Sequence, residues 1–124
     1  VQAVLQILAD ALNAGMQATP ILYGSAMAAC AKAGDKESTA QLLEEMQAAG
    51  LEPDLGHCTS MIVACARHGD ELGAREAFDD LRKRNLQPDI VTYTSLLSCF
   101  AGEGAMLKAD AVFAEMQAAG IVPD

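Results

Sequence analysis

Apolar residues along this chain recur at the three- and four-residue intervals of a helix face, and no run alternates apolar with polar between hairpin-turn residues. Over 105–120, Met106, Ala109, Val112, Phe113 and Met116 share one helical spacing, and Gly120 stands where a left-handed residue would end the helix, with Pro123 shortly beyond. Just before, Val91, Leu96, Leu97 and Phe100 form a shorter apolar pattern that closes on Gly102 and Gly104. The pattern predicts two helices joined by a glycine-bearing turn. The same pair is legible over 20–54, 55–89 and 90–124, whereas 1–19 matches the second half of a pair, with Gly15 in the place of Gly50 and Gly120.

The period behind this pattern is 35 residues. MQAAGLEPD at 46–54, LRKRNLQPD at 81–89 and MQAAGIVPD at 116–124 each end in Pro-Asp, at 53–54, 88–89 and 123–124. Gly34, Gly69 and Gly104 recur in the same register, as do Met46, Leu81 and Met116. A hairpin of this size cannot bury its own apolar face, so neighbouring hairpins must supply the core. The expected fold is an all-α solenoid of stacked helix-turn-helix hairpins, a piece of a longer array that opens inside one unit. Because one repeat position implies one environment, Cys30, Cys65 and Phe100 are expected to be largely buried, and Thr59 and Thr94 to be exposed on one concave face.

Candidate chemistry changes this picture little. Cys58-x6-Cys65-x2-His68 is no recognised zinc spacing, so the cysteines read as small buried hydrophobes whose free thiols fit a reducing compartment. Met46, Met106 and Met116 sit at core spacing. Neither a phosphate-binding glycine loop nor a metalloprotease or nucleophile motif occurs, which leaves an enzyme unsupported and implies no cofactor or metal. No run approaches the roughly 18–20 apolar residues of a membrane span. Charge is more informative. The 8 basic and 17 acidic residues sum to −9, yet the acids crowd into the second helices and their leading turns, while the three first helices carry only Lys32 and Arg67 before Glu103. A layer of first helices would be neutral to weakly basic and the opposite layer acidic. Lys32 and Arg67, at equivalent positions, are candidates to meet phosphates, and the acidic face is a candidate for a protein partner.

A tetratricopeptide array would show an early Trp and a Leu-Gly pair, and neither is present. The 35-residue period, the VTYTSLL opening at 91–97 and the FAEMQAAGIVPD ending at 113–124 instead resemble the pentatricopeptide repeat family of RNA-binding proteins. That resemblance implies a right-handed solenoid that takes single-stranded RNA at about one base per repeat, and mitochondrial or chloroplast localisation. It further implies base reading by one residue in the first turn of the first helix and one that closes the repeat: Gly24 with Asp54, Thr59 with Asp89, and Thr94 with Asp124. An aliphatic side chain three residues before the first reader would pack on base faces, a place that Ile21 and Val91 fill and Gly56 does not. The family associates Thr at the first reader with purines, and an ionised Asp only accepts hydrogen bonds, so guanine is expected at the second and third units. The structural reading of the same residues is that each Asp caps the following helix. The rival function is a peptide-binding scaffold, which the acidic total would suit.

Overall fold

The computed structural model describes residues 2–17, 19–100 and 104–121. Among them run seven helices and no strand: α1 (Gln2–Asn13), α2 (Pro20–Lys32), α3 (Lys36–Ala48), α4 (Leu55–His68), α5 (Glu71–Lys83), α6 (Ile90–Leu97) and α7 (Ala105–Ala118). None is long and apolar enough to cross a membrane.

The repeated residues are the punctuation of these helices. Thr19 caps α2 by accepting from the Leu22 N–H at 3.1 Å, with Pro20 in the first turn. Asp35, Asp54, Asp70 and Asp89 cap α3, α4, α5 and α6 in the same way, each satisfying an N–H that has no partner inside the helix. At the other end of each second helix the chain turns through a positive φ: +81° at Gly50, +63° at Asn85 and +78° at Gly120. Asn is the residue that best replaces Gly there, which explains the one departure from glycine. The turn folds the next N–H back on the shared apolar position. Leu51, Leu86 and Ile121 donate to the carbonyls of Met46, Leu81 and Met116 at 3.1, 3.1 and 2.9 Å.

Helices α2, α4 and α6 pack directly on one another, whereas α3 and α5, and likewise α5 and α7, make no close backbone approach. Helices α3 and α5 each lean instead on the first helices of their own and the following hairpin. The first helices therefore form the tight layer around which the array curves, and the second helices form the wider one. Side chains span the wider layer: Arg75 grips Glu115 with two bonds of 3.0 Å, Lys108 reaches Glu71 at 3.0 Å, and Lys36 reaches Asp70 at 2.6 Å.

Between the layers lie two apolar clusters. One joins Leu8, Tyr23, Met27, Cys30, Leu42 and Met46; the other centres on Ile62, Phe78, Leu81, Tyr93, Leu96 and Met116. Phe78 and Tyr93 pack with ring centres 5.1 Å apart, and the buried Tyr93 hydroxyl accepts from Arg82 at 2.9 Å. All four cysteines are free and buried. Burial raises the Cys58 thiol to about 11.

Cys30 and Cys65 are buried as expected, but Phe100 is only half-buried and Cys99 takes the enclosed place. The cause is the early end of α6. Its 8 residues compare with 13 in α2 and 14 in α4. The hydroxyls of Thr94, Ser95 and Ser98 bond to the carbonyls of Ile90, Val91 and Ser95, and the Cys99 and Phe100 N–H groups reach only three residues back. Such local bonds compete with helix continuation, and the resulting shift carries Cys99 inward in place of Phe100.

Candidate nucleic-acid interface

The candidate readers lie at the starts of α2, α4 and α6, on the tight layer. Asp54 and Asp89 are exposed although each caps a helix, because the capping bonds fall on Oδ1. Oδ2 is the oxygen left over for a ligand. At Asp89, the Thr92 backbone N–H holds the carboxyl below its usual range, so the group is ionised at neutral pH.

Thr94 is exposed, but Thr59 is only partly so. Thr59 Oγ1 lies 3.1 Å from Oγ1 of Thr92, the third residue of the following unit, and Thr92 in turn donates to Asp89 Oδ1 at 2.8 Å. The two candidate readers of the second unit are thus joined through a fully buried hydroxyl. Thr94 donates to the Ile90 carbonyl at 2.7 Å.

The first unit is built differently. His57 occupies the place of Thr92, and it is buried with both ring nitrogens engaged: Nε2 donates to the Pro20 carbonyl at 2.8 Å, and Nδ1 lies 3.0 Å from the Asp54 backbone N. A Cβ on Gly24 would stand 3.3 Å from His57 Nε2. Gly24 is therefore the residue that admits the imidazole. With side chains missing at Gly24 and Gly56, a cavity of about 430 Å³ opens between α2 and α4, floored by His57 and flanked by Ile21 and Asp54. Its size is that of a small-ligand cleft.

Ile21 and Val91 are exposed to 82% and 58%, large apolar side chains standing in solvent beside the readers. Lys32 and Arg67 are exposed in the last turns of α2 and α4, and neither joins an ion pair among the described residues. Asp124 lies outside the described residues. His57 and Thr92 are the members of the site that repeat reasoning passed over. The available signal was Asp54-x-x-His57 and Asp89-x-x-Thr92, the spacing of a reciprocal cap.

The whole chain, residues 1–124, matches the family described as the pentacotripeptide-repeat region of PRORP. Among solved structures it is similar to the pentatricopeptide repeat protein PPR10 in complex with an 18-nt psaJ RNA element, at 34% identity and a TM-score of 0.87 over 97% of this chain. A structure of PPR10 from maize gives 24% identity and a TM-score of 0.80 over the same share. The chain spans only 18% of the RNA-bound PPR10 chain and 17% of the other. No curated protein matches it.

Proposed function

Since the chain belongs to the pentatricopeptide repeat family, we propose that it is a single-stranded RNA-binding module in which the hairpins 20–54, 55–89 and 90–124 each face about one base. The observation that carries this reading is the row on the tight layer: exposed Ile21 and Val91, each one turn before a candidate reader position, beside the exposed Asp54, Asp89 and Thr94, in a frame similar to that of a relative crystallised with RNA. Unstacked bases are recognised on aliphatic or aromatic faces and on their Watson–Crick edges, which is what such a row offers. Thr59 with Asp89, and Thr94 with Asp124, take guanine; Gly24 with Asp54 forms the first site. Lys32 and Arg67 meet phosphates. The acidic second-helix layer is turned away from RNA and is the surface for any protein partner. We assign the chain no catalytic step, and its family points to a mitochondrion or chloroplast.

The test is an anisotropy titration of the 124-residue chain with short single-stranded RNAs over a range of salt. Two phosphate contacts give a log–log salt slope of roughly −1.4, and three sites give weak binding, on the order of 10⁻⁴ to 10⁻⁶ M. Equal affinity for duplex DNA would refute base-edge reading. Binding of a basic peptide with no binding of RNA would return the scaffold function.

A further inference from the structure

We infer that Thr92, a residue of the third unit, fixes the base choice of the second unit by turning the Thr59 hydroxyl into an acceptor. The inference rests on the RNA-binding reading and deepens it. A threonine hydroxyl has one proton and two lone pairs, and an ionised carboxylate only accepts. The Thr92 proton must therefore go to Asp89 Oδ1, 2.8 Å away. At the 3.1 Å contact between the two hydroxyls Thr92 has no second proton, so Thr59 is the donor. The Asp89 backbone N–H approaches Thr92 Oγ1 at 3.4 Å and takes its other lone pair. Full burial of Thr92 keeps water from breaking this sequence of bonds.

With its proton committed, Thr59 shows a base only lone pairs, as does Asp89. The second unit is thus a site of two acceptors. Guanine is the base whose Watson–Crick edge sets two donors side by side, the N1–H and the N2 amine. Uracil offers one ring N–H between carbonyls, and adenine and cytosine offer an amine beside an unprotonated ring nitrogen. The first unit lacks the relay, since Gly24 has no hydroxyl and His57 spans the Pro20 carbonyl and Asp54. Thr92 is a positioning residue, acting on the base through Thr59.

Inosine separates the two contacts, because it keeps N1–H and loses the amine. The experiment is competition binding of the whole chain to uridine-flanked heptamers with one central guanine, inosine or adenine, with the Thr59 amide NMR shift reporting occupancy of the second site. Guanine should exceed inosine by about five-fold, the worth of one neutral hydrogen bond, and inosine should exceed adenine. In Thr59→Ala the guanine-to-inosine ratio should fall to about one. Thr92→Val should lower the same ratio, because the freed Thr59 hydroxyl can turn its proton toward the amine, while inosine still exceeds adenine, and should add nothing in the Thr59→Ala background. Thr92→Ser keeps the hydroxyl and should keep the ratio, which guards against a Val variant that merely folds poorly. A ratio near one in the unaltered chain, or one that Thr92→Val leaves unchanged, overturns the inference while RNA binding itself stands. Failure of every single-stranded RNA to bind removes both.

Discussion

An aspartate at a helix start has two oxygens, and at Asp54 and Asp89 the fold uses Oδ1 to hold the helix. Capping and reading are therefore compatible in one side chain, and they can be separated by substitution. Asn caps a helix as well as Asp does, so Asp89→Asn should leave the fold unchanged while presenting a donor. Preference at that base should move from guanine toward adenine by about 1–3 kcal/mol, if the contact resembles a good side-chain contact to a DNA base; competition binding measures it. Asp89→Ala, by contrast, should lose about 0.5–2 kcal/mol of stability with the cap. The candidate readers could be placed in the sequence because the family resemblance assigns them fixed positions in a 35-residue frame. Thr92 and His57 were not, because their role arises where one unit meets the next, and Thr59 and Thr92 are 33 residues apart. The cysteines make a separate test. Burial raises Cys30, Cys58, Cys65 and Cys99 alike, so all four should react with a disulfide reagent at pH 8 only after unfolding. A fast-reacting thiol in the native chain would contradict their packing.

At the scale of the element, helix starts and stops followed from residue chemistry, while helix length followed only in part. Thr or Asp before each first helix and Gly or Asn after each second helix mark boundaries that local chemistry determines. The end of α6 was beyond the apolar pattern, which runs on to Phe100, because Thr94, Ser95 and Ser98 divert carbonyls that the pattern does not register. Asn85 shows how narrow the tolerance at a boundary is. Its φ of +63° suits Gly or Asn, and a Cβ without a short polar side chain meets the left-handed penalty of about 1–2 kcal/mol. Asn85→Ala should accordingly lower stability by about 1 kcal/mol in urea unfolding, whereas Asn85→Gly should be close to neutral. Equal losses from both would show that the Asn side chain, rather than its backbone angle, matters there.

For the whole molecule, charge acts in two opposite ways, and magnitude decides between them. A net charge of −9 repels itself, so acidification alone would relieve strain. Against this stand contacts in which carboxylates are held below their ordinary range. Asp35 is lowered by the Ser38 backbone N–H, Asp70 by Lys36, Asp89 by the Thr92 backbone N–H and Glu115 by Arg75. Because the folded values are depressed, the unfolded chain takes up protons first as pH falls, and the stability these groups contribute is present above the unfolded carboxylate range, about 4, and lost below it. At physiological ionic strength charges beyond about 8 Å are largely screened, while the Lys36–Asp70 and Arg75–Glu115 contacts at 2.6–3.0 Å are not. The contacts should win. Unfolding free energy in 0.15 M salt should stay level from pH 7 to about 5 and fall steadily toward pH 3, and Glu115→Gln should flatten part of that fall. The same series in 10 mM salt should show a shallower decline, since repulsion then acts across the whole solenoid and its relief offsets the lost bonds. Stability that rises toward pH 3 in 0.15 M salt would mean that the side chains spanning α3, α5 and α7 do not hold the wide layer together.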